Sequence, residues 1–200
     1  MPKRLKIAIV GPEGAGKTSL SKYLGNPAGD KSNEVLFITE MPVDIVDVPL
    51  PNRDILQIWG FSGKKQFKPL LDILIKDKGF EGVAYVFNTG KPETLKELDD
   101  YVEKIRGLIN NPSEILIGNM PTNKVNDSYT NPNPVDEKMR ESIDKFISDK
   151  FDPKAHHNKI PLYFELSALS EIRTIENAFL VLYLDIKNKR IENETVKKQQ

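Results

Sequence analysis

A three-layer α/β/α sandwich is the fold this 200-residue chain predicts, built on a mostly parallel six-stranded sheet with one antiparallel edge strand. Three observations predict it. Short apolar runs alternate with stretches whose apolar residues recur every three to four positions, the signature of strands exchanging with amphipathic helices. The runs 43–48 and 55–59 are joined by a Pro-Leu-Pro-Asn turn at 49–52, so they read as a hairpin and supply the antiparallel edge. The first apolar run enters a glycine-rich turn that opens straight into a helix-like segment, which puts any ligand outside the carboxyl ends of the strands.

Taken in order, residues 5–10 (Leu-Lys-Ile-Ala-Ile-Val) form a buried strand and 17–24 the first helix. The breaker-rich stretch 25–33 is a loop, and Val35 to Thr39 a short strand or part of a mobile segment. After the hairpin, Phe67, Leu70, Leu71, Leu74 and Ile75 keep helical spacing; 82–87 is a buried strand. Leu95, Leu98, Tyr101, Val102, Ile105, Leu108 and Ile109 line one face of a helix whose opposite face is charged. Ile115-Leu116-Ile117-Gly118 is a strand, followed by a long polar loop. Asn133 is then the expected cap and Pro134 the first residue of a helix that carries Val135, Met139, Ile143, Phe146 and Ile147. The last strand is 160–166, and the last helix runs from Ile172 to Ile186. A domain over 1–190 is expected, with 191–200 as a polar tail; from 187 on the chain reads as frayed.

Composition narrows the function. Lys+Arg and Asp+Glu number 29 each, so no net field favours nucleic acid as a partner. Without cysteine there is no disulfide or thiolate chemistry, in keeping with a cytoplasmic location. The two histidines, His156 and His157, are adjacent in a polar stretch and make a poor zinc site. No apolar run approaches the ~20 residues that span a bilayer. Pro2 and the lack of cysteine argue against a direct lipid anchor.

Residues 11–18, Gly-Pro-Glu-Gly-Ala-Gly-Lys-Thr, fit G-x-x-x-x-G-K-[ST], the phosphate-binding P-loop. The glycines let backbone N–H groups curl around a phosphate, and the helix that follows points its positive end at the anion. Glu13, Gly14, Ala15, Gly16, Lys17, Thr18 and Ser19 are the candidate contacts. Lys17 reaches the outer phosphates and is expected to be partly exposed, while the Thr18 hydroxyl can ligate Mg²⁺. A chance match to a glycine-rich turn is the competing reading, and the strand before and helix after weigh against it.

The segment 56–67, Leu-Gln-Ile-Trp-Gly-Phe-Ser-Gly-Lys-Lys-Gln-Phe, resembles the strand-to-switch segment L-Q-I-W-D-T-A-G-Q-E-x-F of Ras/Rab/Arf-like small GTPases. Others follow in the family's order over about residues 4–190. Thr39 resembles the effector-loop threonine that reaches Mg²⁺ and the γ-phosphate, and Gly63 falls on the glycine of the switch segment. Asn119 to Thr122 stand at the guanine-reading N-K-x-D motif, and Ser167, Ala168 and Leu169 at the E-x-S-A-K loop that closes over the base. The resemblance implies a GTP/GDP site with Mg²⁺ held by Thr18 and Thr39. It also implies effector or regulator proteins reading residues 32–42 and 60–68. Lys17, Thr39 and Lys64 take the catalytic positions.

The departures matter as much. Gly60 replaces the acidic residue behind Mg²⁺, Lys64 the water-orienting glutamine, Thr122 the guanine-reading carboxylate and Leu169 a lysine beside the base. Four residues after Asn119, the stretch 123–127 (Asn-Lys-Val-Asn-Asp) echoes the missing motif, and a bulged loop would bring Lys124 and Asp127 to the base. A slow or atypical molecular switch is therefore expected. The alternatives are a pseudo-GTPase acting as an interaction module and a P-loop nucleotide kinase. The kinase lacks its usual clustered arginines here, since all six are isolated in sequence.

Overall fold

The computed structural model describes residues 3–25, 41–121, 124–125, 128–129, 134–151, 162–167 and 172–198. In chain order the elements are β1 (Arg4–Val10), α1 (Lys17–Gly25), β2 (Val43–Pro49), β3 (Ile55–Phe61), a 3-10 turn (Lys65–Phe67) leading into α2 (Lys68–Lys78), β4 (Gly82–Asn88), α3 (Pro92–Leu108), β5 (Ser113–Asn119), the short strands β6 (Lys124–Val125) and β7 (Ser128–Tyr129), α4 (Glu137–Lys150), β8 (Tyr163–Leu166) and α5 (Ile172–Lys198).

Six strands make one sheet in the order β2-β3-β1-β4-β5-β8. Every neighbouring pair is parallel except β2 with β3, where Val43 faces Phe61 and Pro49 faces Ile55. The expected architecture is thus the observed one. Strands buried on both faces need unbroken apolar sequence, and β4 (Gly-Val-Ala-Tyr-Val-Phe-Asn) has it: all but its last residue are buried.

Alternate residues of each strand feed two separate cores. Ile7, Ile9, Leu56, Ile58 and Val86 pack with α1 and α5 residues such as Leu20, Phe179 and Leu182. Ala8, Val10, Tyr85 and Phe87 pack with α2, α3 and α4 through Leu71, Leu98, Val102 and Met139. In the second core the Glu114 carboxylate accepts from Tyr85 Oη (2.9 Å) and from Arg106 Nε and Nη2 (2.9 and 2.6 Å), so β4, β5 and α3 share one satisfied polar centre.

Three expectations need correction. The helix expected from Pro134 begins at Glu137, because Asp136 caps it, its side chain accepting from Met139 N at 2.8 Å. Pro134 is not helical, and Asn133 lies outside the described residues. The polar loop after β5 contains the unexpected antiparallel pair β6–β7, with Lys124 opposite Tyr129. And α5 does not fray after Ile186. It continues to Lys198, and its residues 187–190 are tied to the chain just before β3, β4 and β5: Lys187 Nζ to Asp54 (3.0 Å), Arg190 to Glu81 and Lys189 Nζ to Pro112 O (2.9 Å).

Asp54 is the knot at that end. It accepts from Lys3 N (3.0 Å), Lys187 Nζ and Tyr183 Oη (3.1 Å), and these donors, the Lys3 backbone N–H foremost, hold its carboxyl well below the usual range. A depressed folded pKa stabilises above the unfolded value, near 4, and the contribution is lost as pH falls below it. Asp54→Asn is therefore expected to lower the melting temperature at pH 7 and to flatten its fall between pH 5 and 2. Thermal melts across that range check this; parallel curves for variant and wild type would refute the tether.

No helix among the described residues is long and apolar enough to cross a membrane. His156-His157 and the segment 35–39, expected as a short strand or part of a mobile segment, fall outside the described residues, and among those described no cluster of three or more His, Asp or Glu could hold a metal ion.

Candidate functional site

The site is built where β1 stops. Val10 is fully buried, and the chain then turns through Gly11 to Gly16 before α1 begins at Lys17. Gly14 and Gly16 take φ of +78° and +96°, a region that L side chains enter only with strain. At the start of α1 the N–H groups of Lys17, Thr18 and Ser19 have no intrahelical acceptor, as in any helix's first turn. The first helical bond is Leu20 N to Gly16 O, at 3.1 Å.

Lys17 corrects an expectation. It is only 6% exposed, folded inside the loop with Nζ donating to Pro12 O at 2.6 Å. The reason is local: the Pro12 carbonyl, five residues back, lies within reach of the amine and accepts from it. Burial pushes the amine down to about 8, and the nearby Glu13 carboxylate opposes that only in part. Thr18 is exposed and Ser19 partly so, both on the first turn of α1; Glu13 is an exposed loop side chain.

Two asparagines at adjacent strand ends hold the loop in place. Asn119, the last residue of β5, donates from Nδ2 to Ala15 O at 3.2 Å. Asn88, the last residue of β4, donates from Nδ2 to Gly14 O at 3.1 Å. A Cβ on Gly16 would overlap the Asn119 amide, so the glycine is what lets the tether form. Sequence reasoning missed Asn88. The available signal was a polar residue ending an otherwise apolar strand next to β1. Beyond Asn119, Met120 N donates to Leu166 O (2.8 Å), which brings the end of β8 and the fully buried Ser167 beside the β5 loop.

Gly63 comes to the loop from the other side. A Cβ there would overlap the Glu13 amide and stand 2.6 Å from Pro12 O, so backbone lies on backbone with no room for a side chain. Lys64 follows, half-buried, at the head of the 3-10 turn. The fold thus gathers Glu13 to Ser19, Gly63, Lys64, Asn119 and Ser167 at one end of the sheet. Thr39, Thr122, Ala168 and Leu169 lie outside the described residues, as do Asp127 and most of the 32–42 segment. Lys124 sits on β6, apart from the main sheet.

In chemical terms these parts are of the kind that suits an anion: the first-turn N–H groups of a helix and a desolvated amine held by a carbonyl rather than by a carboxylate.

The family model for Roc, described as "Ras of Complex, Roc, domain of DAPkinase", matches residues 6–121, more than half of the chain. That stretch runs from β1 through the P-loop, Gly63 and the two asparagine tethers to the end of β5. No curated protein matches the chain. With the P-loop, the sheet order and the family match in hand, the chain belongs to the Roc family of Ras-like GTPase domains, a nucleotide-binding class.

Proposed function

We propose that this domain binds GTP and GDP with Mg²⁺ and works as a slow, atypical nucleotide-dependent switch. The observation that carries the proposal is the P-loop closed on the Lys17 amine and tethered by Asn88 and Asn119, a preformed place for a polyphosphate. In this reading Lys17 exchanges part of its bond to Pro12 O for phosphate oxygens. The N–H groups from Gly14 to Ser19 line the anion. Thr18, with Thr39, supplies hydroxyls to Mg²⁺, which when bound neutralises phosphate charge. Asn119, Thr122 and the 167–169 loop shape the base pocket. Gly63 and Lys64 form the element that senses the outer phosphate. Because Gly63 already rests on the Pro12–Glu13 backbone, a group placed between them has to shift or bond the 62–67 segment. Protein partners then read that segment together with 32–42.

The electrostatics of Lys17 give a test. An anionic phosphate raises the amine's pKa in the complex above its value of about 8 in the free protein. Affinity is then complete below pH 8 and declines as pH rises through 8 towards 10, by up to about tenfold per unit. Nucleotide titrations at pH 7, 8, 9 and 9.5 read this directly. A flat profile would mean that Lys17 does not meet the phosphates.

Hydrolysis is expected to be slow. Glutamine orients an attacking water because its amide both donates and accepts; Lys64 has three donors and no acceptor. Gly60 brings no carboxylate to organise the waters around the ion. Unassisted turnover should be on the order of 10⁻⁴ s⁻¹ or below. A single-turnover rate near 1 s⁻¹ would instead mark a dedicated hydrolase, and comparison with Lys64→Ala shows what the lysine contributes. The same substitutions favour the second reading, a pseudo-GTPase that holds nucleotide statically as an interaction module. Thr122 offers only a neutral hydrogen bond where the family offers a carboxylate, so GTP should win over ATP by less than several hundred-fold.

A further inference from the structure

Position 60 carries no carboxylate, and the residues packed around Gly60 bear on where one could come from. Gly60 sits at the carboxyl end of β3, beside Ile9 of β1 and thus next to the start of the P-loop. A Cβ on it would overlap Ser21 Oγ, so a side chain at 60 requires that hydroxyl to turn away. Across the antiparallel ladder Gly60 is paired with Asp44, and directly opposed residues present their side chains on the same face. Asp44 Cβ is 3.8 Å from where the Gly60 Cβ would be. The carboxylate missing from β3 is therefore available from β2, one strand further out, aimed at the same side of the sheet.

Ser21 supplies an independent observation. Its side chain is fully buried on α1, facing Gly60, and its Oγ has no hydrogen-bond partner among the described residues. An orphaned buried hydroxyl costs free energy unless something visits it. Ser21 lies one turn along α1 from Thr18; it is buried with Lys17 and Leu24, whereas Thr18 is exposed at the head of the helix. Asp44 is half-buried, and desolvation raises its carboxyl pKa, opposed by the charge of Lys22 from α1. Ser21 Oγ and Asp44 Cβ both lie within 4 Å of the position a Gly60 Cβ would take, one turn along α1 from Thr18.

We propose that Asp44 is the positioning carboxylate for the Mg²⁺ site, taking over from β2 the role that position 60 has given up, with the Ser21 hydroxyl as its relay partner. Asp44 acts through water and through Ser21 on the ion's surroundings; it is not a direct ligand in this assignment. Carboxylates hydrogen-bonded to a metal's ligands tune its affinity by roughly 10–100-fold, and one acting through water and a hydroxyl is expected at the lower end. The inference rests on the Mg²⁺–nucleotide reading above, and the test separates the two.

The experiment measures fluorescent GDP bound to the full chain, with Mg²⁺ titrated from chelated to millimolar, for wild type, Asp44→Asn, Asp44→Glu, Ser21→Ala and Asp47→Asn. Asp47 is the control: it lies on the same strand, facing Gln57 and Arg4 on the exposed side. The expected result is that Asp44→Asn weakens apparent Mg²⁺ affinity about tenfold or more, with GDP affinity in chelator unchanged. Asp44→Glu restores part of the loss, Ser21→Ala reproduces part of it, and Asp47→Asn changes nothing. A merely structural role for Asp44, such as pairing with Lys22, would move the melting temperature without moving Mg²⁺ affinity, and that outcome overturns the inference alone. A wild type that holds GDP equally well with and without Mg²⁺ also overturns it. A wild type that binds no GDP at all overturns the nucleotide reading and this inference with it.

Discussion

Lys17→Ala is expected to weaken GTP and GDP binding at least a hundredfold, about 2.7 kcal/mol or more, while the protein stays folded. The two halves of this expectation come from the same geometry. The amine is a buried side-chain cation inside the loop, and in the low dielectric there its attraction for a phosphate is large. Without a ligand, however, the buried amine is a liability. Its pKa of about 8 means the folded protein binds that proton less firmly than the unfolded chain does. Between pH 8 and 10.5 the unfolded state carries more of this proton, so the unliganded wild type should gain stability as pH rises through that window. Lys17→Ala should not show this gain. Calorimetric titration reads the affinity and thermal melts at pH 7 and 9.5 read the stability. A variant that binds like wild type would dismiss the P-loop assignment.

Gly16→Ala should be nearly as damaging, by a different route. At φ +96° an alanine is strained by roughly 1–2 kcal/mol before any contact is counted. Its methyl would also occupy the space of the Asn119 amide, which would have to leave Ala15 O. The loop would lose its tether to β5, and the last N–H groups before α1 would no longer point together. Nucleotide affinity is expected to fall by a hundredfold or more and the melting temperature by several degrees. Asn119→Ala separates the terms, since it removes the tether without the strain. It should cost part of the affinity and less stability. Equal affinities for Gly16→Ala and wild type would show that the loop conformation is unrelated to binding.

What could be read in the sequence had a periodic or a chemical signal. The β2–β3 hairpin was legible because two apolar runs flank a proline-rich turn. The P-loop was legible because its glycines, lysine and threonine are fixed by one chemistry. Asn119 stood out only beside a motif, and its bond to Ala15 O could not be foreseen from spacing, since the partners are 104 residues apart. The β6–β7 pair was invisible because two-residue strands carry no period. The start of α4 was misplaced because Pro134 and Asp136 both signal a helix start, and the Asp136 cap bond decides between them only in three dimensions. The full length of α5 was hidden because its last twelve residues have a weak apolar stripe. Their anchors at Asp54, Glu81 and Pro112 are distant in sequence. Likewise, Gly60 reads as a plain loss until the strand register sets Asp44 opposite it.

The central claim is that the loop at 11–18 is a working nucleotide site. Its most direct test is a calorimetric titration of GDP, GTP and ATP, each with Mg²⁺, into nucleotide-stripped wild-type protein, after the stripped material has been chromatographed for whatever it carried. A dissociation constant of about 10 μM or tighter for GDP and GTP, corresponding to about −6.8 kcal/mol, is the predicted result, with ATP weaker. No heat and no bound guanine nucleotide up to millimolar concentration, from protein whose melt shows it folded, would contradict it.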